Sequence, residues 1–308
     1  MRAVVCLAMM VACLPVSSAH AQTSGSAYAI DYDQLYRVDL ATRQATLIGA
    51  AGNNGPQAIA DLSGLTTTPD GTLYAASDTI KSLVRINPST GQASVVGKFG
   101  IVLGTDPTAP LDYAMTAACD GSLWLSSATA RQLWKVDPQT GASTLIGSLG
   151  RTITGLVVKD DALYGIGGRG EEGWYRIDTR SGTATLIGGL GSMVTYLASA
   201  SPAVAPNGQM LAALNYVPPP TNTMPADWSD LASIDSGNGV TNVLGTITGP
   251  ASLRGIGIRG FTTGVPACNR TTAGTTYGVP ATSRWALLPL IGGLLLLALW
   301  RLRRTALA

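Results

Sequence analysis

The chain has 308 residues, of which 46% are hydrophobic and 12% charged, and a formal net charge of +2. So little charge excludes a disordered or coiled-coil protein, and without a basic run in mid-chain nothing is built for nucleic acid. His20 is the single histidine, and Glu171 and Glu172 are the only glutamates, so aspartate makes up nearly all of the acidic inventory.

The chain opens with Met1-Arg2, an apolar run from Ala3 to Ala12, and Ala19-His20-Ala21 before Gln22. A basic head, an apolar middle and an A-x-A site form a secretory signal peptide over residues 1–21. Met10-Val11-Ala12 ahead of Cys13 offers a lipoprotein signal as the alternative. Cleavage after Ala21 removes His20, Cys6 and Cys13, leaving a mature chain with no histidine and two cysteines, Cys119 and Cys268. Export puts those two in an oxidising compartment, where their distance in the fold decides whether they pair.

Residues 26–262 are a repeat. Leu35-Tyr-Arg-Val-Asp39 with Ala45-Thr-Leu-Ile-Gly49 recurs as Leu83–Gly97, Leu133–Gly147, Trp174–Gly188 and Leu231–Gly245. The anchors Asp39, Asn87, Asp137, Asp178 and Asp235 come roughly every fifty residues, the period of a β-propeller. Each unit reads as four strands. An inner strand such as Ser63-Gly-Leu-Thr-Thr or Thr154-Gly-Leu-Val-Val turns at Pro69-Asp-Gly71 or its equivalents into a second strand such as Leu73-Tyr-Ala-Ala. The aligned pair supplies strands three and four, joined by turns such as Asp137-Pro-Gln-Thr-Gly141, where Gly provides the positive φ. The first unit lacks an inner strand, and Leu253-Arg-Gly-Ile-Gly-Ile-Arg259 is an inner strand without a unit. Joining them gives an all-β, five-bladed propeller closed by one blade shared between the two ends. These units resemble the extracellular NHL/YVTN-like propellers, whose repeats carry a similar Leu-Tyr-x-x-Asp…Thr-Gly signature; the resemblance implies the fold and not a function.

Residues 263–284 form a Thr/Gly/Pro linker, and residues 285–304 an apolar helix with an arginine cluster. The charge-free run from Trp285 to Trp300 would span about 24 Å as a helix, against a hydrocarbon core of about 30 Å. Val279, Pro280, Ser283 and Trp285, followed by Arg301, Arg303 and Arg304, resemble the PEP-CTERM and IPTL-CTERM sorting tails. The resemblance implies a Gram-negative bacterium, an exosortase-type processing enzyme as partner, and at least transient contact with the inner membrane. Ala281 and Thr282 depart from both subclasses, and an ordinary single-pass anchor is the plainer alternative.

Turns between strands one and two, and three and four, are short and alike, so they share one regular face. The other face collects irregular loops, where binding on a regular scaffold usually resides. The candidate ligand-binding residues there are Asp31, Asp33, Asp78, Asp106, Arg169, Glu171, Tyr216, Asp227 and Trp228.

Gly165-Ile-Gly167-Gly-Arg-Gly170 fits G-x-G-x-x-G, but a strand follows where a dinucleotide site needs a helix. Arg37, Arg85, Lys135 and Arg176 hold equivalent places in successive blades, so rotation spreads them around the ring. The Asp-x-x-Thr-Gly turns suggest calcium, yet each offers one carboxylate that caps its own backbone. Calcium is therefore the one cofactor left open, and no metal ligand is assigned.

A mature chain without histidine has no Ser-His-Asp or Cys-His machinery, and no catalytic residue is assigned. The reading is a surface-sorted binding or structural module for a polysaccharide, matrix or surface-protein partner. The alternative is an extracellular carboxylate-dependent hydrolase or lyase using Asp31 with Asp33, or Asp227 with Asp230.

Overall fold

The structure, a computed structural model, describes residues 25–102, 109–216, 228–249, 256–266 and 268. Its strands form five four-stranded antiparallel sheets, the blades of a propeller. Blade 1 joins Gly260–Thr262 to Ser26–Asp31, Gln34–Asp39 and Ala45–Ala50. Blade 2 comprises Leu62–Thr67, Leu73–Ser77, Ser82–Ile86 and Ala93–Lys98; blade 3 comprises Tyr113–Ala117, Leu123–Ser127, Gln132–Val136 and Ser143–Ser148. Blade 4 runs through Ile153–Lys159, Ala162–Gly167, Gly173–Ile177 and Ala184–Gly189, and blade 5 through Leu197–Val204, Met210–Tyr216, Trp228–Ile234 and Thr241–Thr246. A two-stranded ribbon, Asn53–Asn54 with Gln57–Ala58, decorates the connection from blade 1 to blade 2.

The burial of each strand follows from its place in a blade. Leu73–Ser77 and Leu123–Ser127 are buried at every position, because neighbouring blades cover both faces of a second strand. The outermost strands are largely solvated and carry Thr, Ser and Asn among their apolar residues. Each is bulged where it pairs with its third strand, at Leu35/Tyr36, Leu83/Val84, Leu133/Trp134, Trp174/Tyr175 and Leu231/Ala232. A bulge at a sheet edge disturbs the ladder that another chain would otherwise extend.

Five apolar clusters fill the spaces between adjacent blades, and the one between blades 5 and 1 closes the ring with Leu211, Ala213 and Leu231 against Ala27, Ala29, Val38 and Phe261. The rims interlock through glycine. A Cβ on Gly97 would lie 1.9 Å from the Thr140 carbonyl oxygen in the next blade's outer turn. Gly49, Gly147 and Gly188 stand equally close to Thr90, Ser181 and Asn238. The Ile/Val-Gly pair near the end of the outer strand in blades 1 to 4 is thus a docking notch for the following blade.

Closure uses a later segment than the sequence suggests. Tyr28, Ala29 and Ile30 pair with Thr262, Phe261 and Gly260, so the inner strand of blade 1 is Gly260–Thr262 and not residues 253–259. Arg254-Gly255-Ile256 and Arg259-Gly260-Phe261 both match the Ser63-Gly64-Leu65 pattern. The second brings glycine against the next inner strand, where a Cβ on Gly260 would lie 2.6 Å from the Leu65 nitrogen. Ile256 and Ile258 instead fill the core between blades 5 and 1.

Beyond the closing strand the chain crosses the axis on the regular face. The Thr263 hydroxyl donates to the Val204 carbonyl of blade 5 at 2.5 Å. Thr263, Gly264, Val265 and Pro266 then line, with inner-strand residues from all five blades, a void of about 30 Å³. That is room for no more than about two water molecules. Cys268 is joined by a disulfide to Cys119 in blade 3, with Cα atoms 5.6 Å apart. The strap seals the axial channel from below. The signal peptide and the helix expected over residues 285–304 lie outside the described residues, as does the sorting motif from Val279 to Trp285. Among the described residues no helix is long and apolar enough to cross a membrane.

Candidate functional site

Above the sealed floor the axis opens on the irregular face into a cavity of about 350 Å³. It is lined by Asp61, Ser63 and Asp78 of blade 2, Asp112, Tyr113 and Ala128 of blade 3, and Thr152, Thr154 and Arg169 of blade 4. Ala198, Ser199 and Asn215 of blade 5 and Arg259 at the start of blade 1 complete the ring. The local cause is a repeated register. Ser63, Tyr113, Thr154, Ser199 and Arg259 each precede the small residue of their inner strand, namely Gly64, Ala114, Gly155, Ala200 and Gly260. Those small residues let the inner strands approach one another; a Cβ on Gly64 would lie 2.4 Å from the Met115 nitrogen. The preceding side chains then form one layer around the axis.

Three polar atoms in this cup are buried with no partner: the Tyr113 Oη, the Ser63 Oγ and the Asn215 Oδ1. Tyr113 and Asn215 are each only 3% exposed. The Tyr113 ring is fixed edge-on against buried Phe99, with centroids 5.1 Å apart. Burial first, and the Asp78 carboxylate second, push its phenol well above the ordinary tyrosine range, so it remains a hydroxyl donor. The Asn215 amide nitrogen donates to the Ile258 carbonyl at 3.4 Å. At the rim, the Arg259 guanidinium lies 4.0 Å from the Tyr32 ring centroid and donates to the Tyr32 hydroxyl at 2.9 Å. Arg169 is exposed and has no partner among the described residues.

The residues singled out from sequence separate into groups. Asp78 and Arg169 line the cup. Asp78 is committed to holding it open. One carboxylate oxygen pairs with Lys81, and the other accepts the Leu111 and Asp112 backbone N–H groups at 2.9 and 3.3 Å. Glu171 is a second loop clamp, accepting the Thr152 N–H at 2.5 Å and facing Arg151 at 3.3 Å and Arg131 at 3.9 Å. Burial pushes the Glu171 carboxyl up, but its Thr152 and Arg151 bonds and the nearby Arg131 charge bring it below the usual carboxylate range.

Tyr216 is a buried core residue stacked on half-buried Trp228 at 5.3 Å, and burial with the Asp230 charge pushes its phenol up to about 12. Asp31 and Asp33 lie beside Tyr36, whose phenol burial and these two charges raise. Asp230 accepts the Thr246 hydroxyl at 2.7 Å. Asp106 and Asp227 are outside the described residues.

The recurring cations stack on second-strand aromatics: Arg37 on Tyr28, Arg85 on Tyr74 and Lys135 on Trp124, at 5.3, 5.8 and 5.8 Å. The turn anchors Asp39, Asn87, Asp137, Asp178 and Asp235 each accept a backbone N–H two residues on, within 3.0 Å. Among the described residues, the one group of three potential metal ligands lying within 4.8 Å of one another is Cys119, Asp161 and Cys268. Both thiols of that group are spent in the disulfide.

Ser63, Tyr113, Asn215 and Arg259 were not singled out from sequence as site residues. Their signal was positional: the residue before the glycine or alanine of each inner strand, and the last positions of a second strand.

No protein-family model matches the chain, and no curated protein matches it. Among solved structures it is similar to a structural genomics protein of unknown function from Bacteroides thetaiotaomicron VPI-5482, at 14% identity and a TM-score of 0.46. That likeness covers 61% of this chain and 53%, about half, of the other. Hydrazine synthase from Kuenenia stuttgartiensis matches at 13% identity and TM-score 0.40, over 73% of this chain and 62% of that one. A chain of a nidogen/laminin complex matches at 10% identity and TM-score 0.48, over 77% and 97%.

Proposed function

We propose that this protein is an exported binding module that takes its ligand or partner at the axial cup of the irregular face. The observation that carries this reading is the pair of buried, unpartnered polar atoms, on Tyr113 and Asn215, at a blind cavity to which all five blades contribute. Buried polar groups are nearly always hydrogen-bonded, and leaving one unpaired is unfavourable. A ligand that displaces the side chains covering these atoms and completes their bonds removes that penalty. Export rests on the Met1–Ala21 pattern. Surface sorting by an exosortase-type enzyme rests on the tail from Val279 to Arg304. Because the strap seals the regular face, such a ligand enters from the irregular face alone.

The test is thermal unfolding of the full chain against purified bacterial polysaccharides and surface proteins. A ligand at a hundredfold excess over its Kd raises stability by about 2.7 kcal/mol. The expected result is a saturable rise in midpoint that Arg169→Ala reduces, since this exposed residue lines the cup and has no partner among the described residues. If every probe leaves the midpoint unmoved, the binding reading fails and a structural role takes its place.

A further inference from the structure

We propose that the cup recognises an uncharged polyhydroxylated unit, either a free sugar or the terminal residue of a glycan. The inference rests on the reading of the cup as a binding site and names its ligand class.

Charge is the first argument. Asp78 is neutralised by Lys81. That leaves the Asp61 and Asp112 carboxylates in adjacent blades 2 and 3, flanked by Arg259 on one side and Arg169 on the other. Two negative and two positive groups cancel, so the ring offers an ion no net attraction to offset the water it must shed.

Hydrogen-bond polarity is the second. The Tyr113 hydroxyl is a donor held in place by Phe99, the Asn215 Oδ1 is an acceptor, and the Ser63 hydroxyl is either. A carboxylate accepts only and would face the Asn215 oxygen unsatisfied; an ammonium donates only and would leave the Tyr113 proton unmet. A hydroxyl does both. Vicinal hydroxyls present donors and acceptors side by side, and Thr152, Thr154 and Ser199 continue the same mixed lining up the wall.

Shape is the third. A cup of about 350 Å³ with a closed floor is at the small end of ligand pockets, and it admits a ligand end-on. One sugar ring suits it, and a chain passing through does not.

Isothermal titration calorimetry on the full chain tests this with methyl glycosides of neutral hexoses, a deoxyhexose and an N-acetylhexosamine, alongside glucuronate, glucosamine and glycine as charged probes. Saturable binding of at least one neutral glycoside is expected, with affinity roughly tenfold lower in Tyr113→Phe. That variant removes one unpartnered hydroxyl and keeps the ring against Phe99, so its unliganded melting point should be unchanged or higher. An oligosaccharide ending in the same sugar separates the sources: tighter binding identifies a glycan terminus, and equal binding a free sugar. A charged probe that binds in place of the neutral ones, and is weakened by Tyr113→Phe, overturns the ligand class and leaves the cup as a binding site. Failure of every probe, neutral and charged, overturns the ligand class, and the melting screen against polysaccharides and surface proteins then decides the binding reading.

Discussion

Removing the Cys119–Cys268 link should be the largest single-site loss of stability available in this protein. The two residues are 149 apart in sequence, and the loop they close contains all of blades 4 and 5 and the closing strand. Constraining a denatured loop of that length is worth about 5 kcal/mol in the chain-entropy treatment. At this domain size each kcal/mol moves the melting midpoint by about 2–4 °C, so reduction should lower it by about 10–20 °C. Circular dichroism melts with and without a phosphine reductant measure the shift directly. The Cys119→Ser, Cys268→Ser double variant is the control and should melt at the reduced midpoint whether or not reductant is present. Hydrogen exchange should accelerate most at the amides of Gly260–Thr262, because the strap beyond that strand is otherwise held mainly by the Thr263 bond to Val204. Oxidised and reduced protein melting within about 2 °C of one another would refute the reasoning. It would mean that strand pairing alone closes the ring, or that the denatured chain is already too compact for the link to constrain.

Gly97→Ala drives a methyl into the Thr140 carbonyl and should lower stability by about 1–3 kcal/mol in urea unfolding. Gly189→Ala, with nothing within 4 Å of the added carbon, should be tolerated in the same assay. Asp78→Ala orphans the Leu111 N–H and releases Lys81, and should lower stability by about 1–3 kcal/mol and weaken any ligand bound at the cup. Stability should also be lost in acid. Asp39 and Asp178 are held below the ordinary carboxylate range by the backbone N–H groups of Thr42 and Arg180, and Glu171 lies below it as described. The unfolded chain therefore binds more protons than the native one, and the melting midpoint should hold steady from pH 7 to about 5 and fall below about pH 4. A midpoint that rises on acidification would contradict that assignment.

The blade plan was legible because it depends on local chemistry: Asx turns, turn glycines and alternating strands repeat with a period that needs no tertiary information. Even the shared first blade followed from the phase of the two ends. The error over its inner strand shows where such reasoning stops. Two Arg-Gly-apolar segments lie five residues apart, and what selects the second is the 2.6 Å approach to Leu65, a contact with no trace in sequence. The same limit hid the meaning of the glycines that end each outer strand. They read as turn or strand-end residues, whereas their spacing from Thr90, Thr140, Ser181 and Asn238 is what fits each blade to the next. Position on the irregular face, for its part, drew attention to Asp78, Glu171, Tyr216 and Trp228. All four do structural work, because a connection on a propeller rim must first be fastened down.

The ring of Ser63, Tyr113, Thr154, Ser199 and Arg259 explains why one layer of a repetitive fold can be specific. The residue after each is glycine or alanine because the inner strands crowd there. One or two residues before the axial position, in blades 2 and 3, the chain is fixed by carbonyl bonds, Asp78 N–H to Asp61 and Ala128 N–H to Asp112. Between those two constraints the backbone of the axial position is fixed, while its side chain points to the axis and, as with Tyr113 against Phe99 and Arg259 on Tyr32, finds its own support. Such a position can carry serine, tyrosine, threonine or arginine without disturbing the blades. Five of them around one axis make a cup whose chemistry is free to be set by what it binds.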